Sequence, residues 1–435
     1  MRIFLVLSAA PRSDGEAVEV VAYEVAQHAV RFGHTLFVQI ILRDPLGSEA
    51  SVRATEGLQR LKIENAVAYP PLYVPRSTNG ASTQRDVLIH RCIRIAKSFR
   101  ESEMFPASRL GSRVAARVRE SRADVILGVW SWEALAATYR IRDVPKFMYY
   151  GNPDHVPLEA RLRHPELFGI PSSTFRDRVG LALDRLRNRR RRYLHIQMMN
   201  QCEVTANNSI LDARFYAQHG HPRSIYLQNM WPTVCGEGDD AKGTGPGGDG
   251  VIRIVASVGN LGATGNTFGL YYFGKELMPR LDTRLAGRPL EIHILGKGAP
   301  TAAVNRHLDD PRIIRRGWVE DINQEIQSSQ VFLVLTNVSH DFLVGNTRIL
   351  LAWSLGACVV MHANSALAMP EVEDGYNALL GRSPEEIADL IGQVVEDDAL
   401  RRKIGSGGHE TFQRYYRSDV VVPKMMTLIQ ELVMR

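Results

Sequence analysis

The chain has 435 residues, 45% of them apolar and 23% charged, which is enough apolar material for about two or three packed domains. Its formal net charge is +6, yet residues 176–192 alone hold eight arginines and two aspartates, so the remainder sums to zero. A surface basic all over is therefore excluded, and one local patch carries the excess.

Cys92, Cys202, Cys235 and Cys358 are far apart with no C-x-x-C pair, which argues against a zinc site or a disulfide scaffold and fits a reducing compartment. The N-terminal apolar run is short and meets Arg12, Asp14 and Glu16, unlike a signal peptide. No stretch approaches the ~20 apolar residues that span a bilayer. The expectation is a soluble, cytoplasmic protein.

Ile3 to Leu7 is an unbroken apolar run, as in a strand buried on both faces. After a loop from Ala10 to Gly15, Val18, Val21, Ala22, Val25, Ala29 and Phe32 recur at helical spacing, and Gly33 suits a helix C-cap. Leu36 to Leu42 resumes as strand, completing a βαβ unit with a right-handed crossover. Asp124–Val129 and Lys146–Tyr150 read as strands around a helix from Glu133 to Arg140. Val204–Ala206 and Ser224–Leu227 repeat the pattern around a helix from Ile210 to His219. Residues 157–200 interrupt the alternation with a long, Arg-rich, mainly helical insertion.

Residues 236–250 contain seven glycines in fifteen positions and no large apolar side chain, the composition of a flexible linker. Beyond it the alternation restarts. Strands are expected at Ile252–Val258, Leu290–Leu295, Val331–Leu335 and Cys358–His362. Helices are expected at Thr267–Leu281, Asp321–Ser328, Thr347–Leu355 and Pro384–Glu396, and from Gly408 to Met434. The division is 1–235, a linker at 236–250, 251–407, and a C-terminal helix at 408–435. Two α/β units with parallel sheets leave a cleft, where ligands meet the carboxyl ends of strands.

Several motifs point into that cleft. Gly345-Asn346-Thr347-Arg348 opens a helix after a strand and loop, where backbone N–H groups, the helix dipole and a guanidinium suit a diphosphate. An ordinary helix start with a solvated arginine is the alternative. Gly259 and Gly296-Lys297-Gly298 end strands, either as tight turns or as points where backbone approaches a ligand. Trp318, followed by Val319, reads as core, and Glu371 and Asp374 as acids of a surface turn. Trp130, Trp132 and Glu133 either line the cleft or pack between helix and sheet.

These segments resemble a known family. SVGNLGATGNTFGLYYF (257–273), LEIHILGKGAP (290–300), RRGWVEDINQEIQSSQVFLVL (315–335) and GNTRILLAWSLGACVVMHANSALAMPEVEDGYNALLG (345–381) are similar to retaining GT-B glycosyltransferases of the bacterial group 1, or family four, kind. The loop ending at Gly15, RFGHTL (31–36) and ANNSILDARFY…IYLQNMWP (206–232) extend the resemblance over nearly the whole chain, except 157–200. It implies a GT-B architecture of two Rossmann-like domains facing a cleft. The second would bind a nucleotide diphosphate sugar, the first a glycan or lipid-linked acceptor, and the C-terminal helix would pack back on the first.

The implied activity is metal-independent glycosyl transfer with retention and no cofactor beyond the co-substrate. The implied donor site comprises Gly15, Gly259, Asn260, Asn266, Lys297, Trp318, Val319, Gly345, Asn346, Thr347, Arg348 and Glu371, and the implied catalytic positions are Asp154, His155 and Asp341. The resemblance implies a place beside a nucleotide base for Trp318, instead of core, and donor-sugar hydroxyls for Glu371 and Asp374. The chain also departs from the pattern. The family's paired glutamates align with Leu343 and Leu351, its usual arginine and lysine with Asn260 and Asn266, and His155 lies several positions from the family histidine. These departures keep a second reading open, a catalytically silent nucleotide-sugar-binding or scaffold protein. Arg185–Arg192 reads as a patch for an anionic membrane surface, which would make the protein peripheral at the inner face, or as a solvated helix face. Nucleic acid is the poorer choice, since no aromatic interleaving or recognition helix accompanies the run.

Overall fold

The computed structural model describes residues 1–43, 66–74, 96–233 and 250–435, with Ser48, Val52 and Glu56. The Gly-rich stretch 236–249, Cys92 and Cys235 lie outside the described residues. Cys202 and Cys358 are buried free thiols.

Among the described residues the first sheet has eight strands. They are β1 (Arg2–Leu7), β2 (Thr35–Leu42), β3 (Ala66–Ala68), β4 (Leu72–Tyr73), β5 (Val125–Val129), β6 (Lys146–Tyr150), β7 (Val204–Asn207) and β8 (Ser224–Tyr226). Their order is β3-β2-β1-β5-β6-β7-β8, with β4 also on β2, and every pairing is parallel. The apolar runs explain this arrangement. Ile3 and Leu5 face one buried layer while Phe4 and Val6 face another, so β1 is covered on both sides. Even Lys146 is buried, its Nζ donating to Ile141 O at 2.8 Å.

The second sheet has six strands: β9 (Ile252–Val258), β10 (Leu290–Leu295), β11 (Ile313–Gly317), β12 (Val331–Val334), β13 (Val359–His362) and β14 (Leu379–Gly381). Their order is β11-β10-β9-β12-β13-β14, again all parallel. Strand order reverses between β1 and β5 in one sheet and between β9 and β12 in the other. Such switch points open crevices at the carboxyl ends of the strands.

The strands β11 and β14 have no counterpart in the sequence-based expectation, and three longer segments also differ from it. The helix expected from Thr267 starts at Thr264, carries a π-helical stretch at Phe273–Leu277 and runs on to Arg284. The tail is two helices, Asp398–Tyr415 and Ser418–Val433, rather than one from Gly408. Gly407 and Gly408 look like a helix boundary but lie inside the first of these. A Cβ at 408 would fall 2.3 Å from Trp353 Cδ1, so the glycines serve close helix packing, not termination. The final helix buries Val421, Val422, Met425, Met426 and Ile429 against the first sheet. The chain crosses back where Trp231 N–H donates to Tyr416 O (2.9 Å) and Ser418 N–H to Trp231 O (3.1 Å).

The third is the insertion, which divides in two. Helix Val156–Arg163 and the turn after it bridge to the second domain: Ala160 and Leu167 are buried in that domain's core. His164 and Phe168 meet Phe268 edge-on at 5.2 and 5.4 Å. Arg161 Nε donates to Thr264 Oγ1 at 2.9 Å, and Thr301 Oγ1 to Leu167 O at 2.7 Å. Helix Phe175–Met199 instead lies on the first domain, where its Leu194, Met198 and Met199 join the core.

Candidate active site

A cavity of about 360 Å³ lies between the domains. Trp130, Trp132, Tyr150, Asp154 and Asn208 line it from the carboxyl ends of β5, β6 and β7, and Gly345 and Thr347 close it from the second domain. Trp130 has φ +44°, a left-handed conformation that costs a bulky residue about 1–2 kcal/mol. The next residue, Ser131, caps helix Trp132–Thr138 by accepting from Ala134 N–H at 3.0 Å. Trp130 and Trp132 are thereby set at the cleft as aromatic surfaces. Glu133 turns inward to Arg43 (2.5 Å); burial raises its pKa despite that partner. The domains touch closely here, since a Cβ on Gly345 would sit 2.5 Å from Asn208 O.

The opposite wall is built on the loop between β12 and helix Thr347–Ser354. Asn337 pins this loop, donating to Val344 O at 2.9 Å and accepting from Val344 N–H at 3.1 Å. Thr336 Oγ1 donates to Asn346 Oδ1 at 2.6 Å, while Asn346 Nδ2 is buried without a partner. Asn229 Nδ2 reaches across from the first domain to Thr347 Oγ1 at 3.0 Å. The helix begins with no side-chain cap, so its first N–H groups are open to an anion.

Arg348 follows Thr347 on this helix and lines a separate recess of about 10 Å³ with Val258, Asn266 and Thr336. Its guanidinium lies over Gly259, where any side chain would meet Nη2 at 3.6 Å. Among the described residues it has no ion pair or hydrogen bond, and desolvation alone lowers its pKa to about 10. A part-buried cation without a counter-charge at an uncapped helix start favours an anion nearby.

The other predicted positions divide by what they touch. Gly259 (φ +97°) and Gly296 (φ +128°) abut, since a Cβ on Gly296 would fall 1.9 Å from Gly259 O; glycine is required there. Lys297 pairs across the cleft with Glu16, beside Gly15. Gly15 itself leaves room for Glu19, whose Oε2 accepts from Glu16 N–H at 2.9 Å. Asn260 Oδ1 accepts from Gly262 N–H (3.0 Å), and Asn266 Nδ2 donates to Asn260 O (2.7 Å), so both amides tie their own loop. Trp318 is 68% exposed just beyond β11, which removes the core reading, while Val319 packs inward. Leu351 is buried core and offers no polar group.

Three carboxylate and imidazole positions are held by the protein itself. Glu371 accepts from Tyr226 Oη (2.7 Å), Gln228 Nε2 (2.9 Å) and Tyr416 Oη (2.6 Å), joining the first domain to the second. Asp341 accepts from Arg163 and from His164 Nε2 (2.7 Å); these donors outweigh desolvation and lower its pKa. His155 does not face the cavity. It is buried between Phe215 and His195 (5.4 and 6.4 Å between ring centroids), and desolvation, then neighbouring cations, lower its pKa to about 3. Asp154 does line the cavity, paired with Arg191 at 2.7 Å.

Glu371→Gln tests the inter-domain role. An amide in place of the carboxylate presents a donor to groups that need acceptors, so the expected loss is about 2 kcal/mol in urea unfolding. A change within error would show that these three bonds do not hold the domains together.

Sequence reasoning did not assign Asn208, Asn229 or Tyr150 to the site. The signal available was their place just after strand ends, and it identifies a neighbourhood rather than a contact.

The two sheets and their shared cleft define the GT-B fold, and comparison with known proteins agrees. Residues 252–397, which form most of the second domain, match the family model described as glycosyl transferases group 1. The whole chain superposes on a glycosyltransferase from Rickettsia africae (11% identity, 100% of this chain and 98% of that one, TM-score 0.58). It also superposes on sucrose-phosphate synthase from Thermosynechococcus elongatus (12%, 99% and 98%, 0.60) and on Anabaena HepE in complex with UDP and glucose (13%, 98% and 99%, 0.56). No curated protein sequence matches the chain.

Proposed function

We propose that the protein transfers a glycosyl group from a nucleotide diphosphate sugar to a hydroxyl of a glycan or lipid-linked saccharide, with retention and without a bound metal. It would act in the cytoplasm, at the inner face of a membrane. The observation that carries this reading is Arg348, an unpaired and desolvated guanidinium at an uncapped helix N-terminus. Charge accumulates on the leaving diphosphate as the glycosidic bond breaks, and Arg348 with the first helix N–H groups would hold it. The freed phosphate oxygen would take the proton of the incoming hydroxyl on the same face. His155, buried away from the cavity, would have no part in that step, whereas Asp154, which lines the cavity, would meet the acceptor hydroxyl. Trp130 would offer an apolar face to a sugar ring, whereas the Arg43 guanidinium stacks on Trp132 at 3.5 Å. The group 1 match over 252–397 and the HepE complex with UDP and glucose support a nucleotide-sugar donor.

A silent sugar-nucleotide-binding protein is the second reading, favoured by Leu343 and Leu351 at the paired acid positions and by the protein partners of Asp341 and Glu371. Isothermal titration with UDP, GDP and ADP, without metal, tests the site. Saturable binding of one of them is expected, with Trp318 fluorescence quenched as the base stacks on its exposed indole. No binding by any of the three would remove the donor-site reading. Release of free sugar from the matching nucleotide sugar would then separate enzyme from silent binder.

A further inference from the structure

Helix Phe175–Met199 carries an exposed apolar stripe unlike any other surface helix among the described residues. Phe175 (82% exposed), Val179 (44%), Leu186 (51%) and Tyr193 (54%) are large apolar or aromatic side chains in solvent, and Ala182 is exposed between them. Their spacings of four, three, four and seven place all five within about 60° of arc at about 100° per residue. The stripe runs straight for about 27 Å at 1.5 Å per residue.

Arginines border it on both sides. Arg178, Arg185 and Arg189 lie along one edge, Arg176 and Arg190 along the other, and all five are exposed. Among the described residues none of them forms an ion pair. The remaining arginines turn inward: Arg187 pairs with Asp184 (2.8 Å) and Arg191 with Asp154 (2.7 Å), while Arg192 contacts His219 (3.0 Å). The exposed basic surface is thus not the run Arg185–Arg192 read from the sequence. It is a longer border starting at Arg176, and the apolar stripe is its centre.

We propose that this helix docks on an anionic lipid bilayer, its stripe entering the headgroup–acyl boundary and its bordering arginines meeting lipid phosphates. An apolar centre with cationic edges is what an interfacial helix presents, since long basic side chains reach up to headgroups while apolar ones sink. A second copy of the chain fits poorly, because symmetric pairing would set five cations against five. The inward side of the same helix holds Asp154 through Arg191 and donates from Asn188 Nδ2 to His155 O at 3.1 Å. The bilayer would therefore lie beside the cavity's acceptor side. This deepens the lipid-linked acceptor reading and rests on it for its purpose, while the binding is measured apart from catalysis.

The test is flotation of the full chain with vesicles of phosphatidylcholine alone or mixed equally with phosphatidylglycerol. The protein is expected to float with the anionic vesicles and to remain behind with the zwitterionic ones. A Phe175→Ser, Leu186→Ser double variant, and a variant with Arg176, Arg178, Arg185, Arg189 and Arg190 changed to Gln, should each lose about tenfold or more of that partition. All seven residues are exposed and none of the arginines forms an ion pair among the described residues, so unfolding midpoints should stay near the parent's, even with the Arg185 bond to Leu162 O (3.0 Å) removed. Tyr193→Trp supplies a second readout, with its emission shifting to the blue on anionic vesicles. Absence from anionic vesicles, full binding by the serine variant, or tighter binding to duplex DNA than to vesicles would each overturn the proposal. Failure to bind any of UDP, GDP and ADP would overturn the donor reading and leave this result standing.

Discussion

Arg348→Ala is expected to lower kcat/KM for the nucleotide sugar by about 10²–10³-fold, the range for removing one preorganised donor from developing negative charge. Diphosphate affinity should fall with it, because the helix N–H groups alone leave the second phosphate poorly neutralised. The same change should leave the ligand-free protein as stable or make it more so. The guanidinium is part-buried and has no ion pair or hydrogen bond among the described residues, so its desolvation is a cost that a bound anion would offset. Arg348→Met, which fills similar space without charge, should raise the melting temperature of the free protein and abolish its increase on adding nucleotide. Calorimetry with and without UDP, GDP and ADP measures both effects. An Arg348→Met protein that is destabilised yet still binds nucleotide would make Arg348 a structural residue and remove the anion site.

Acid should unfold the protein well above the carboxylate range. His155, His195 and His221 are buried, and desolvation lowers their pKa values to about 3, 4 and 4. Each also has a buried ring nitrogen without a partner: Nδ1 of His155 and His195, and Nε2 of His221. The unfolded chain takes these protons near pH 6.5 and the folded chain does not. The stability linked to them is therefore complete above about pH 6.5 and is lost as pH falls toward 4. Asp212 and Glu133, raised by desolvation, run in the opposite direction, while His34, His307 and His362, lowered chiefly by desolvation, add to the loss. The net loss is expected at about 1.4 kcal/mol per pH unit for each uncompensated proton between roughly pH 6 and 4.5. Urea unfolding across that window should show the slope. His155→Phe, whose ring would occupy the aromatic cluster of Phe215 and His195, should reduce it by about 1.4 kcal/mol per unit. A stability independent of pH over this window would mean that these imidazoles are hydrated and free to ionise.

Much of the architecture was legible in the chain. Apolar runs without alternation, such as Ile3–Leu7 and Ile252–Val258, require strands covered on both faces, and their regular separation by amphipathic stretches leads to parallel sheets with helices on both sides. The glycines ending β9 and β10 marked where backbones approach, and the order Gly345-Asn346-Thr347-Arg348 marked a helix start facing a cleft, which the structure shows to be uncapped. These features are local, set by periodicity and by backbone conformations within a few residues.

What the tertiary structure decided is the partner of each polar side chain. Asp341 finds Arg163, 178 positions away, and Glu371 finds Tyr226 across the domain boundary, so two carboxylates resembling site residues serve as inter-domain ties. His155 stands beside Asp154 in sequence, yet one is buried among rings while the other lines the cavity, because the chain enters helix Val156–Arg163 immediately after them. Gly407 and Gly408 read as a break until Tyr376 is packed against the first and Trp353 against the second. Arg348 is the converse case. Its sequence context allows a solvated arginine, and only the assembled walls of β9 and β12 leave it desolvated and unpaired. Periodicity states which face of an element is buried, but the group opposite each polar atom depends on contacts between distant segments, and there the candidate site was decided.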